Sequence, residues 1–320
     1  MESRPLGTSG LKVSRMALGT MSWGTLTDSE EAANQLVAFV DAGGTLVDSA
    51  DIYAEGEGER ILGSLLADLV PREDIVLATK AVARRTEGPF GGGASRGALL
   101  SALEGSLRRL GVDHLDLWQL HAWDHTVPIE ETLSALDFAV TTGKVRYAGV
   151  ANYCGWQLAT AAALRPHRIV STQVEYSLLE RGVEREVVPA ASHHGIGLLP
   201  WAPLGRGVLT GKYRTGTPAD SRGASATYAG YVEHHRTERA SRIVEAVATA
   251  ADGLGTSPLA VALAWIRDRP GVVAPVVGAR DTGQLSGSLA AEELTLPIAI
   301  RAALDDVSSI ELGYPERWPR

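Results

Sequence analysis

A (β/α)8 TIM barrel, α/β in class and formed by residues 1–320 as one domain, is the fold that this sequence predicts. Three observations carry that reading. The chain has 320 residues, the length of such a barrel with insertions. Short apolar runs alternate with helical patterns from end to end, with no break in composition. The runs also match the barrel's strand count. A doubly wound sheet is the structural alternative, but a dinucleotide-binding one carries GxGxxG after its first strand. Here the first run ends in GTMSWG.

Taken in order, RPLGTSGLKVSR reads as a turn-containing N-terminal β-hairpin ahead of the barrel. The runs follow: RMALGT (15–20), GTLVDS (44–49), DIVLATK (74–80), LDLWQLH (115–121), VRYAGVAN (145–152), STQVEY (171–176), IGLLPWAP (196–203) and VVAPVVGA (272–279). Each is too short for a helix and too continuously apolar for a half-exposed strand, so each reads as a buried parallel strand. Between them, 29–43 opens on Ser and two Glu and closes on Gly, the cap and dipole chemistry of a helix. Segment 95–111 repeats Leu99, Leu100, Leu103, Leu107 and Leu110 at helical spacing. Segments 128–144 and 257–271 place Pro in the first turn. Residues 205–236, after strand seven, show no clear period and are rich in Gly, Ser, Thr and Tyr. A loop of that length on the active face of a barrel reads as a lid over a ligand.

Composition narrows the function. The apolar fraction of 45% supports a large core, and the net charge of −8 argues against nucleic acid or an anionic membrane as partner. The single Cys154 cannot form an intramolecular disulfide, and no apolar run approaches 18 residues. The N-terminus does not resemble a signal peptide. A cytoplasmic protein is expected, with no membrane partner and no indication of a homo-oligomer.

Chemistry concentrates at the strand ends. Asp48 ends strand two, Lys80 strand three and His121 strand four, while Tyr53 lies in the loop after the first of these. Active sites of such barrels sit at that rim. A phenol with a pKa of about 10 is a poor acid. A neighbouring Lys80 cation, held by Asp48, would lower that pKa. A neutral His121 would orient a carbonyl oxygen. The set lacks only a reductant, which a nicotinamide cofactor would supply.

With those residues in place, the sequence resembles the aldo-keto reductase superfamily over nearly its whole length. GGTLVDSADIYAEGEGE, LATK and LDLWQLHAWDHTVPIEETLSAL match the family's Asp/Tyr, Lys and His blocks. VRYAGVANY, TQVEYSLLER, WAPLGRGVLTGKY and PVVGARDTGQL follow in family order. The resemblance implies an NADPH (NADP+) carbonyl reductase in which Tyr53 is the general acid, Lys80 and Asp48 tune it and His121 orients the substrate. It implies that Asn152 and Gln173 hold the carboxamide, and that Trp201 stacks on the nicotinamide. Thr20, Met21 and Asp48 would also face the cofactor. Ala202, Pro203, Leu204 and Gly207 would line the pyrophosphate, and Gly278, Arg280, Gln284 and Ser288 the 2′-phosphate end. Lys212 and Arg222 match positions where channel-subunit-like branches reach the cofactor from the long loop. Two departures stand out: Ala151 replaces the family's Ser before Asn152, and Gly287-Ser288-Leu289 replaces Glu-Asn-Leu.

Trp23 and Trp123 flank the site in sequence and, with Tyr53 and His121, are expected to meet the substrate. GTMSWG and ANYCGWQL are similar to bacterial, actinomycete-type reductases of deoxysugar and secondary-metabolite pathways. A keto-sugar or cyclic ketone is therefore the expected small-molecule substrate. Two alternatives stay open: a Schiff-base lyase or aldolase using Lys80, and a non-catalytic NADPH-binding subunit. Other features read plainly. GPFGGG (88–93) is a flexible loop, and Gly56 and Gly58 loosen the Tyr53 loop. His193-His194 and His234-His235 lack the spacing of a helical metal site and read as exposed polar residues, so no metal is expected.

Overall fold

The hairpin forms as expected: β1 (Ser3–Pro5) pairs antiparallel with β2 (Lys12–Ser14), Arg4 opposite Val13. The computed structural model describes all residues except 167, 220, 227–228, 315 and 319–320. Leu6 and Val13, wholly buried, pack with Leu46, Leu117 and Leu199 from inside the barrel, so the hairpin plugs its lower end.

All eight apolar runs become strands of one parallel sheet. They are β3 (Ala17–Gly19), β4 (Leu46–Asp48), β5 (Val76–Ala81), β6 (Leu115–Leu120), β7 (Val145–Ala151), β8 (Ile169–Glu175), β9 (Gly197–Trp201) and β10 (Val276–Val277). The sheet follows chain order, with β10 returning beside β3 through Val276–Ala17 and Val277–Leu18. Closure on the other side is slight. β9 meets the chain just ahead of β10 at one bridge, Leu198–Val272, with Leu198 N–H donating to Gly271 and Val273 N–H to Leu198, both at 2.9 Å.

The sequence sets where helices begin. α1 (Ser29–Asp41) is capped by Asp28, which accepts from the Glu31 N–H at 2.9 Å. α2 (Glu57–Asp68) follows the Tyr53 turn. α3 (Arg96–Leu110) is capped by Ser95 and stops at Gly111, whose φ of +66° is the left-handed conformation of a helix end. α4 (Ile129–Thr141) starts one residue later than expected, with Pro128 as its cap. α5 (Gly155–Leu164) opens on Cys154, whose N–H donates to Gln157. α6 (Val183–His194) follows β8. The long segment is partly helical: two 3-10 turns, Gly205–Thr210 and Arg222–Ala224, precede a short α7 (Ala229–Glu233). α8 (Glu238–Leu254) and α9 (Pro258–Arg267, capped by Ser257) then pack outside, and α10 (Thr282–Leu289) and α11 (Ile298–Val307) complete the chain. No single helix among the described residues is long and apolar enough to cross a membrane.

Strand periodicity then places the polar groups. Successive side chains alternate between the two faces of a strand. Leu46 and Ala78 belong to the inner core, so Asp48 and Lys80, two residues on, also point inward. Leu117 does the same for Gln119, and Leu199 for Trp201. The barrel therefore ends in a polar layer at its upper mouth.

Candidate active site

That polar layer is tightly bonded. Lys80 Nζ donates to Asp48 Oδ2 and to the Ser49 carbonyl, both at 2.6 Å. The other carboxylate oxygen of Asp48 accepts from Gln119 Nε2 at 3.2 Å and Gln173 Nε2 at 3.0 Å. Asp48 and Lys80 are 3% and 1% exposed, so their charges survive burial only because each is paired and hydrogen-bonded. Gly149 makes room for this layer, since a Cβ there would lie 2.2 Å from Ser171 Oγ.

Tyr53 stands over the pair, with Lys80 Nζ 5.4 Å from its ring centroid. Its turn is strained: Ala54 and Glu55 have φ of +48° and +55°. The next residues pack the turn rather than loosen it. Gly56, at φ +89°, lies where a Cβ would come 2.8 Å from Arg109 Cδ. Gly58 is buried in α2. Arg109 itself pairs with the wholly buried Glu59 at 2.7 Å, and Glu59 accepts from Thr79 on β5 at 2.6 Å. Asp51, also wholly buried, pairs with Arg85 at 2.9 Å. Burial dominates its titration and lifts its carboxyl to about 7.

Electrostatics correct one expectation. Burial pushes the Tyr53 phenol up by more than Lys80 pulls it down, so the group holds its proton above its ordinary range. Lys80 is raised as well, because the pull of Asp48, reinforced by Tyr53, outweighs the burial of its ammonium. His121 is held down to about 4 by burial and by the Lys80 cation, so its imidazole is neutral at pH 7. Its ring meets that of Tyr53 edge-on, centroids 6.3 Å apart, and its Nδ1 is buried without a hydrogen-bond partner.

The catalytic candidates thus gather at the floor of a cavity of about 850 Å³. Asp48, Tyr53 and His121 line it, with Lys80 just beneath. Trp201, Asn152 and Gln173 form one wall. Trp201 Nε1 donates to Asn152 Oδ1 at 3.0 Å, and Asn152 Nδ2 to the His121 carbonyl at 2.9 Å, which fixes the indole against the end of β6. Asn152 and Ala202 hold φ of +58° and +49°, further strain at the rim. Met21, Ala202, Pro203, Leu204 and Gly207 line the same cavity. So do Gly278, Gln284 and Ser288, and four cationic side chains in a chain of net charge −8: Arg206, Lys212, Arg222 and Arg280.

Three expected contacts are displaced. Thr20 is wholly buried and bonds the Asp48 carbonyl through its N–H at 3.0 Å, leaving Gly19 to line the cavity. Trp23 is wholly buried too, its indole N–H donating to Gln35 of α1 at 3.0 Å, so it is a core residue and does not line the cavity. Trp123 lies outside the lining and packs edge-on against Tyr153 and Trp156, each at 5.2 Å. Sequence reading also missed residues that do line it: Ile52, Arg206 and Tyr231 among them. His235, expected at the surface, is 5% exposed and meets Glu175 at 2.9 Å.

The aldo/keto reductase family model matches residues 15–309. The chain belongs to the aldo/keto reductase family. An uncharacterized oxidoreductase of Bacillus subtilis, YrpG, is 37% identical, over 96% of each chain. A probable voltage-gated potassium channel subunit beta of rice (Oryza sativa subsp. japonica) is 34% identical, over 99% of this chain and 98% of its own. The versiconal hemiacetal acetate reductase of Aspergillus parasiticus is 30% identical, over 92% and 94%. This aldo/keto reductase is accordingly an oxidoreductase, from a family that generally uses a nicotinamide cofactor.

Proposed function

We propose that this protein is an NADPH-dependent carbonyl reductase in which Tyr53 is the general acid. The observation that carries the reading is the floor of the cavity: a buried Asp48–Lys80 pair at 2.6 Å beneath a phenol, with a neutral imidazole edge-on to it. The residues present also fit the cofactor. Trp201 offers a flat face, Asn152 and Gln173 offer amides, and Lys212, Arg222 and Arg280 offer charge for phosphates. A bound nicotinamide supplies the hydride.

The chain's own residues do the rest. His121, uncharged, can present an N–H to the carbonyl oxygen without adding a full charge to the ground state. Tyr53 keeps its proton until negative charge develops on that oxygen, then gives it up. Lys80 stabilises the phenolate left behind, and Asp48 keeps the lysine charged and aimed. The Asp48–Lys80 pair is buried, so it acts on the phenol from a low dielectric where the contact counts for more.

The test is NADPH consumption across aldehydes, ketones and keto-sugars. Turnover of at least one class supports the reading. Tight NADPH binding without any turnover would favour a binding subunit, the role for which the rice relative is named.

A further inference from the structure

We propose that Tyr231 is the substrate-selecting wall of the cavity, held in place by Arg206, Glu175 and His235 as positioning residues, and that it selects cyclic carbonyl compounds bearing a hydroxyl. The proposal rests on the reductase reading above and deepens it.

Tyr231 lies in α7 and lines the cavity together with Tyr53, Ile52 and Met21. One guanidinium holds both its ring and its backbone. Arg206 Cζ is 3.9 Å from the Tyr231 ring centroid, and Arg206 Nη1 donates to the Tyr231 carbonyl at 2.9 Å. A cation over an aromatic face at that range fixes the ring. Arg206 is itself docked on Glu175, Nε to Oε1 at 2.9 Å and Nη2 to Oε2 at 2.6 Å, the paired geometry that sets direction as well as strength. Glu175 ends β8, two residues beyond Gln173, so the anchor is part of the barrel.

The chain just beyond α7 is fastened to the same carboxylate. His235 Nε2 lies 2.9 Å from Glu175 Oε1 in a nearly buried contact. Arg206 accepts a φ of +58° to reach its position, a conformation a non-glycine residue adopts only where its surroundings impose it. The short helix is thus tied to one carboxylate at its middle, through Arg206, and just beyond its C-terminal end, through His235. A surface loop with no task at the cavity would not need that.

The wall's chemistry indicates the ligand. Burial pushes the Tyr231 phenol up against the pull of Arg206, so it presents a neutral hydroxyl, and a charge on Tyr53 would add to that push. A carbonyl compound seated on Tyr53 and His121 therefore faces a flat ring with one donor-acceptor group on it. Flat apolar contact suits a ring, and the hydroxyl suits a hydroxyl on that ring.

The experiment compares cyclohexanone with 2-hydroxycyclohexanone for the wild type, Tyr231→Phe, Arg206→Met and Glu175→Gln. Tyr231→Phe should lower the hydroxyketone-to-ketone ratio of kcat/KM about tenfold, mainly through KM, as expected when one site hydrogen bond is lost. Arg206→Met and Glu175→Gln should lower that ratio similarly although both retain the phenol. A purely structural defect would depress both substrates alike and leave the ratio unmoved. An unchanged ratio in Tyr231→Phe overturns the wall. If the wild type binds NADPH but reduces neither of these two ketones, the reductase reading is decided by the wider screen of aldehydes, ketones and keto-sugars, and fails by itself only if none is turned over. The wall is then judged by saturation-transfer NMR of trans-cyclohexane-1,2-diol on the NADP+-loaded protein. Signal lost in Tyr231→Phe upholds it, and equal or absent signal overturns it.

Discussion

The floor and the roof of the cavity are built on different terms. On the floor, Asp48 and Lys80 sit on β4 and β5, almost wholly buried and locked by hydrogen bonds between strands. The roof is a segment of 3-10 turns and one short helix, with Lys212 exposed and Tyr231 only partly buried. Its order depends on Glu175, reached by Arg206 and His235. In the proposed mechanism the Asp48–Lys80 pair must stay aimed at the acid with little positional error, and it is placed on the sheet, with Tyr53 in the short turn above it. Choosing a ligand tolerates variation, so it can be placed on a loop that a rigid scaffold positions.

If that division is right, damage to the floor should cost rate and fold, and damage to the roof should cost selectivity. Tyr53→Phe removes only the acid. Turnover should fall about 10³-fold, within the usual worth of a general acid, while NADPH binding measured by fluorescence stays near wild type. Wild-type-like turnover would sink the assignment. Next, Lys80→Met leaves Asp48 buried without its counter-charge. A loss of about 3–5 kcal/mol is expected in urea unfolding, with much of it regained when Asp48→Asn is added. No loss in the single variant would mean the pair is dispensable to the fold.

His121 on the floor and the buried Asp51 beside the Tyr53 turn should oppose each other in acid. Between the ordinary histidine pKa and about 4, an unfolded chain takes up a proton at His121 that the folded one refuses, so this group removes stability as pH falls. Asp51 does the reverse. The folded state keeps its proton up to about 7, so the stability it contributes is full below the ordinary aspartate pKa and is lost as pH rises through about 7. Each slope is worth on the order of 3 kcal/mol. Asp51→Asn should therefore steepen the acid loss of stability, and His121→Asn should flatten it, in urea midpoints taken from pH 4.5 to 8. Parallel curves for all three proteins would refute both assignments. The smallest effect belongs to a charge on the cavity's far lining. Arg280→Ala should weaken NADPH roughly tenfold and NADH little, the loss expected for one charge-assisted contact. Equal losses would show that the 2′-phosphate is held by other groups, Arg222 first among them.

The barrel was legible because parallel strands are buried on both faces and so read as unbroken apolar runs. Asp48, Lys80 and His121 were legible for the converse reason: each is a polar residue ending such a run. Trp23 was misread because its fate is decided by Gln35 on α1, which offers the indole its hydrogen bond. Nothing local in GTMSWG announces that partner. Thr20 was misread similarly, since its N–H closes onto the Asp48 carbonyl one strand away. The roof was least legible. Glu175, Arg206, Tyr231 and His235 come together from positions 60 residues apart at the extremes, through a segment without period. The lowered phenol pKa failed on magnitude: the sign of the lysine's pull was right, but burial was the larger effect.

The barrel's closure carries a consequence of its own. β6 and β7 share an extended register, whereas the first and last strands meet over two residues, and β9 reaches the returning chain at one bridge. The wall has a seam, and Gly19, Val276 and Val277 beside it line the cavity, as does Trp201 of β9 across from it. Whatever fills the cavity touches both edges. The protein would then be stitched shut by its own cargo: with ligand bound, amides near 17–19 and 272–278 should exchange more slowly with deuterium, while those of β6 and β7, already the most deeply laced, scarcely change.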